Sequence, residues 1–229
     1  MKPLSSRMLP VIAALLCANV VTAQQANDIN APYRDPDMQI EVWVDRLESE
    51  GREVFDFRNE IVATIGIEAG QAVADVGAGT GLYEPLLAAA VGPAGKVYAV
   101  DIVPQFIEYI TEKAAERGLD QVEARLSKED SIDLPAGSVD VVFISDAYHH
   151  FENYEAMLRS IHRALKPGGK LVVAEFDRVA GKSPDFVLEH IRASKEQFTS
   201  EIEAAGFRMT ADVTMDAMQS TFVRHFERL

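Results

Sequence analysis

An acid and three glycines stand at alternate positions in Ala74-Asp75-Val76-Gly77-Ala78-Gly79-Thr80-Gly81. Glycines so spaced permit positive φ, bare the backbone for a ligand and let the following helix pack closely. A plain strand-to-helix connection would use the same residues, so the turn alone leaves both readings open. The spacing is G-x-G-x-G, one residue short of the dinucleotide fingerprint G-x-G-x-x-G. Asp75 would put a carboxylate beside the ligand, which suits a cationic group better than a pyrophosphate. Asp101 ends a second apolar run, Val97-Tyr98-Ala99-Val100. A carboxylate there can accept both hydrogen bonds of a ribose diol, or it can cap the helix starting at Pro104. Further on, Ser145-Asp146-Ala147-Tyr148-His149-His150 gathers groups able to move a proton near neutral pH. The histidine pair also raises metal binding, but neighbours on a strand point apart and no third ligand is evident, so no metal site is expected.

These groups need strands and helices to hold them. The spacing predicts strands over 73–76, 96–100, 122–126, 139–145 and 171–176, with helices over 82–91, 104–117 and 154–165 between them. Lys166-Pro167-Gly168-Gly169 reads as a turn. The region after residue 176 is loop-rich until a helix over 194–205 closed by Gly206. Two strands near 207–214 and 221–227 lack a helix between them, so they pair as a hairpin-like unit and one runs antiparallel. Apolar strands separated by helices imply a parallel sheet covered on both faces, a doubly wound α/β fold. Ahead of it, Asp35-Pro36 reads as the cap of a helix running to about Glu50. Val54, Phe57, Ile61 and Ile65 then give one apolar stripe of a second helix ended by Gly66.

The 229 residues suffice for one sizeable core, and 48% hydrophobic residues predict a folded chain. The net charge of −14, with Lys and Arg in no run, argues against a nucleic-acid partner. Residues 1–23 differ in kind. Lys2 and Arg7 precede the uncharged apolar run Met8–Val21, and Val21-Thr22-Ala23 offers a cleavage site before Gln24. This is the pattern of a signal peptide and is short for a membrane span, so the mature chain is expected to be exported, to a periplasmic space, without stable membrane insertion. Cleavage would remove Cys17, the sole cysteine, and with it any thiol chemistry. The expected division is a leader at 1–23, a linker and cap helices at 24–70 and the α/β domain at 71–229.

The sequence resembles the class I S-adenosylmethionine-dependent methyltransferases. The resemblance rests on Val73–Gly81, on Val97–Asp101, on Glu129-Asp130-Ser131-Ile132-Asp133-Leu134-Pro135, on Ser138–Phe143, and on Leu158–Val173 with its Leu165-Lys166-Pro167-Gly168-Gly169-Lys170-Leu171. It implies a Rossmann-like, seven-stranded, mostly parallel sheet with an antiparallel last strand. It also implies adenosylmethionine as cofactor, held by Asp75, Gly77, Ala78, Gly79, Gly81, Asp101, Ile102, Asp130, Ser131 and Ser145. By the same likeness Asp130 meets the adenine amino group, and the end of the fourth strand lies near the transferable methyl. There, His149 and His150 are the candidate bases, with Asp146 and Tyr148 orienting them.

The cap helices offer Tyr33, Arg34, Trp43, Arg46, Arg52, Glu53 and Arg58 to a substrate, and the loop-rich region offers His190 and Arg192. The expected activity is methyl transfer to a small molecule of unidentified structure. Export sets up a tension, since adenosylmethionine is not normally supplied outside the cytoplasm. It keeps open a non-catalytic exported protein that retains the fold and binds a nucleoside-like ligand. A nicotinamide-dependent oxidoreductase fits the α/β pattern but neither the glycine spacing nor the Asp130 block.

Overall fold

The computed structural model describes residues 28–229, so the leader expected over 1–23 lies outside the described residues. Strands β1 (Ala72–Val76), β2 (Lys96–Asp101), β3 (Val122–Leu126), β4 (Val139–Ser145), β5 (Leu165–Phe176), β6 (Phe207–Val213) and β7 (Thr221–Arg228) form one sheet in the order β3-β2-β1-β4-β5-β7-β6. All neighbours from β3 to β5 are parallel. β7 inserts antiparallel between β5 and β6, so it is the one reversed strand, as the missing helix between the last two strands predicts. The order reverses between β1 and β4. In such sheets a crevice opens beyond the carboxyl ends of these two strands, and the candidate site lies there.

Both faces of the sheet are apolar because successive side chains alternate sides. On one face Ala74, Val142, Ile144, Leu171 and Val173 pack against α6 (Tyr154–Ala164) and α8 (Lys195–Ala204) through Met157, Leu158, Ile161, Phe198 and Ile202. On the other, Val73, Val97, Val141, Phe143 and Val172 meet Leu87 and Val91 of α4 (Glu84–Val91) and Ile61 and Ile65 of α3 (Arg58–Ile65). α3 therefore belongs to the sheet's packing, although it lies ahead of residue 71. α1 (Ile40–Leu47) and the short α2 (Glu53–Asp56) lie over the cleft instead. Trp43 of α1 is buried against Phe106 of α5 (Pro104–Glu116) and against Tyr33, with ring centroids 5.9 and 4.4 Å away.

Several boundaries differ from the sequence reading. Asp35 folds back locally, its Oδ1 accepting from the Asp37 N–H at 2.9 Å, so the first helix starts at Ile40 and not after Pro36. The stripe through Val54 and Ile65 is interrupted at Phe57, whose φ of −103° and ψ of 19° separate α2 from α3. Leu165 already pairs with Val139, and the Lys166–Gly169 segment bulges out before the ladder resumes at Lys170 opposite Val141. α7 (Asp185–His190) occupies the region expected to be loop.

Candidate functional site: an acid-lined cleft at the strand switch

The turn after β1 uses all three glycines in the left-handed region, with φ of 79°, 56° and 81° at Gly77, Gly79 and Gly81. What a side chain would meet there is protein. A Cβ on Gly77 would lie 2.4 Å from that of Ala147, so the turns after β1 and β4 touch with no room for even a methyl group. A Cβ on Gly79 would press on Leu47 of α1 at 3.2 Å, and one on Gly81 would press on Glu84 and Ile110 at 3.1 Å. Asp101 fixes this turn: its Oδ2 accepts from the Gly79 N–H and its Oδ1 from the Val103 N–H, both at 2.9 Å. The ribose and capping readings of Asp101 are thus compatible, since each carboxylate oxygen retains a lone pair.

Around the turn, Asp75, Glu84 and Asp101 are all buried. Among the described residues no Lys, Arg or His forms an ion pair with any of them. Burial, and then the charge of Asp101, push the Asp75 carboxyl up to about 7. Burial and the Asp75 charge push Glu84 well above the carboxylate range. Glu84 thereby keeps a proton it can donate to Asp75, while Asp75 Oδ2 has no nitrogen or hydroxyl partner. Burial also raises Asp101, against the three backbone N–H groups that stabilise its charge. Asp75 and Asp101, which line one cleft without a basic neighbour among the described residues, make a receptor for positive charge, with Glu84 behind them. Beside them Ile102, unusually for a large apolar side chain, is 41% exposed.

A cleft of about 150 Å³, open to solvent, runs from this turn to the segment 30–54. Asp75, Gly77, Ala78, Gly79, Asp101, Ile102, Ser145, Asp146 and His150 line it, as do Tyr33, Arg34 and Arg52 of the cap. Gly81, Asp130, Ser131 and His149 do not. Asp130 is exposed, while its neighbour Glu129 lines the cleft. Ser131 turns inward, its Oγ 3.1 Å from that of Ser160. Glu53 accepts from the Gln219 and Ser220 N–H groups, and Arg192 pairs with Glu201 at 2.7 Å, so both serve the scaffold.

The far end is organised by the turn after β4. Asp146 holds a left-handed φ of 50°, costly for a non-glycine residue and characteristic of functional sites. Arg52 forms an ion pair with Asp146 and donates to the Leu47 carbonyl, tying the cap to β4. Burial and then the nearby Glu175 push Asp146 up to about 6. Tyr148–His150 form a 3₁₀ turn. The two histidine rings therefore lie side by side, centroids 4.0 Å apart, which corrects the expectation that they point to opposite sides. His149 Nδ1 is 2.9 Å from Oε2 of Glu175, which is fully buried in β5. Burial opposes a charge on His149, but Glu175 outweighs it and raises the ring's pKa. His150 packs edge-on to Tyr33, 4.9 Å between centroids, and burial with the neighbouring His149 charge lowers it to about 2. Sequence reasoning missed Glu84, Glu129, Glu175 and Asn30. Glu175 had a readable sign, a lone charge in the apolar run Leu171–Phe176.

Comparison with known proteins agrees with this geometry. Residues 74–173 match the model of a methyltransferase domain family. The crystal structure of a SAM-dependent methyltransferase from Aquifex aeolicus superposes with a TM-score of 0.73 at 27% identity, over 84% of this chain and all of that one. Residues 74–173 are a methyltransferase domain, in a chain with the fold of a SAM-dependent methyltransferase. A ubiquinone/menaquinone biosynthesis C-methyltransferase of Hydrogenovibrio crunogenus is 26% identical over 72% of this chain and 67% of its own length. A demethylmenaquinone methyltransferase of Geobacillus stearothermophilus is 31% identical over 52% and 51%. The chain spans about half the length of most curated relatives that it matches. The cofactor of this family is S-adenosylmethionine, and the cleft fits it: buried acids without a cation face a ligand carrying an ammonium and a sulfonium, and Ile102 offers an apolar surface for its base.

Proposed function

We propose that this protein transfers the methyl group of S-adenosylmethionine to a small, largely apolar acceptor seated between the glycine turn and residues 30–54. The observation that carries the reading is the pair Asp75 and Asp101, buried without a basic partner at one end of an open cleft, with buried Glu84 behind the glycine turn. The rest of the cleft is lined by Leu47, Val54, Leu82, Phe106, Phe151 and Met157, a surface suited to a flat apolar molecule. The quinone-biosynthesis relatives support an aromatic ring as that acceptor.

S-adenosylmethionine supplies an electrophilic methyl on a positively charged sulfur, and the displacement is in line. The protein's share is then alignment and, for an acceptor that must lose a proton, a base. Asp146 meets both requirements for that base, since it lines the cleft and titrates near 6. His150 stays neutral at working pH and lines the acceptor part of the cleft, while His149 stands outside the cleft and serves as support. We further propose, from the leader-like residues 1–23, that the chain is exported. Fractionation of a C-terminally tagged chain tests this, and retention in the cytoplasm refutes it.

Calorimetry with S-adenosylhomocysteine tests cofactor binding directly, and no heat at millimolar ligand overturns the reading. Transfer of labelled methyl to demethylquinol analogues tests the acceptor. With Asp146→Asn we expect kcat to fall by about 10²–10⁴-fold with cofactor affinity retained.

A further inference from the structure

We propose that His149, His150 and His190 form a binding site for one divalent transition-metal ion of the zinc class, behind the part of the cleft that His150 lines. The three residues come from two elements, the 3₁₀ turn after β4 and the last residue of α7. Their ring centroids are 4.0, 5.0 and 5.3 Å apart in pairs. One ring nitrogen of each lies within 4.8 Å of one from each of the others.

Hydrogen bonding sets the tautomers. Glu175 accepts from the His149 backbone N–H and faces its Nδ1, which must therefore carry the proton. In the neutral ring the lone pair of His149 is then on Nε2, an atom that is buried and has no partner among the described residues. At His150, Nδ1 lies 2.7 Å from Asn30 Oδ1. The Asn30 amide nitrogen donates to the His150 carbonyl and to Glu152, which fixes Oδ1 as the acceptor. His150 Nδ1 is thus protonated too, and its Nε2 also carries a lone pair. The His190 ring makes no hydrogen bond among the described residues. Three adjoining imidazoles, none hydrogen-bonded to another among the described residues, offer their free nitrogens to a cation that would displace any proton held on His149.

A carboxylate behind Nδ1 of a histidine, orienting Nε2 toward a metal, is the usual support for such a ligand. Three imidazoles suit zinc, copper, nickel or iron better than magnesium or calcium. Zinc–nitrogen bonds of about 2.0–2.1 Å in a tetrahedral site put the nitrogens about 3.4 Å apart, so the rings need to close by about an ångström. A second grouping, Asp146, His149 and Glu175, is a poorer candidate. Its acids already accept from Arg52, from the His149 ring and from the Phe176 N–H. Arg46 acts electrostatically on His150 and His190 and opposes the cation, while Glu175 favours it.

The test uses the full chain without a histidine tag, stripped with chelator and titrated with Zn²⁺ by calorimetry and with Co²⁺ by visible absorption. We expect one ion per chain and the intense bands of tetrahedral Co²⁺. His190→Ala, at a half-buried position, should weaken Zn²⁺ binding more than a hundredfold, and Glu175→Gln by about 10–100-fold. His190→Cys, which retains a metal donor, should restore binding, and His162→Ala on α6 should leave it unchanged. Binding well below one ion per chain, or equal affinity in wild type and His190→Ala, overturns the proposal, as does a failure of His190→Cys to restore binding. S-adenosylhomocysteine titrated into the same samples reports the cofactor end separately, so the loss of one reading does not carry the other with it.

Discussion

At the glycine-turn end of the cleft three buried acids have no basic side chain among the described residues, whereas at the opposite end each buried acid has a nitrogen partner, Asp146 with Arg52 and Glu175 with His149. The first end is incomplete without a cation supplied from outside. The second is internally paired and spends its polarity on holding the cap and the histidines in place. A protein end that must receive charge and a protein end that must present a fixed surface therefore differ in pairing, not in the number of buried charges.

The largest way to break this comparison is at the point where the two ends touch. Gly77→Val puts side-chain atoms into the Ala147 methyl at a positive φ, and we expect a loss of about 4 kcal/mol or more, read by urea unfolding. A tolerated valine would show that the two turns move independently.

Next comes pH. The unfolded carboxyl of Asp75 ionises near 3.8 and the folded one near 7, so the folded state holds the extra proton between those values. The ligand-free protein should lose about 2–4 kcal/mol of stability from this group as pH rises from 4 to 7, and Asp75→Asn should abolish that part of the slope. Because a cationic ligand favours ionised Asp75, affinity for S-adenosylmethionine should rise with pH up to about 7. A pH-independent affinity contradicts the charge-receptor reading.

Arg52→Met removes the partner of Asp146 and should cost about 1–3 kcal/mol in stability, with the effect on acceptor KM exceeding that on cofactor affinity. Asp101→Ala should weaken cofactor binding by about 1–3 kcal/mol, measured calorimetrically. The smallest change sharpens the adenine question: Asp130→Ala on the exposed loop should fall within about 0.5 kcal/mol of wild type, and Glu129→Ala should lower cofactor affinity measurably more.

The glycine-turn end was legible as a place because its residues sit at fixed points of a repeating pattern. Asp75 and Asp101 are the final residues of apolar runs, and a sheet's geometry carries strand ends to one edge. The loop 127–133 has no such period, and Asp130 and Glu129 cannot be told apart without coordinates. The far end resisted for a different reason. It joins Asn30, Arg52, Asp146, Glu175 and His190, which no local spacing connects. The histidine pair was read as strand neighbours because nothing in its residues announces the left-handed turn at Asp146 that starts the 3₁₀ segment. That one of the last two strands is reversed followed from a missing helix between them, whereas the strand order needed the coordinates.

Adjacent residues Arg52 and Glu53 reach in opposite directions, one to the end of β4 and the other to the backbone just before β7. The roof of the cleft is thus pinned partly to residues 219–220, which follow all the parallel strands. A growing chain could form β1 to β4 and the glycine turn while β5 still lacked its neighbour, but the roof would have no second anchor until residues 219–220 emerged. A chain cut before Gln219 would lose that anchor together with β7, the strand that joins β6 to the rest of the sheet.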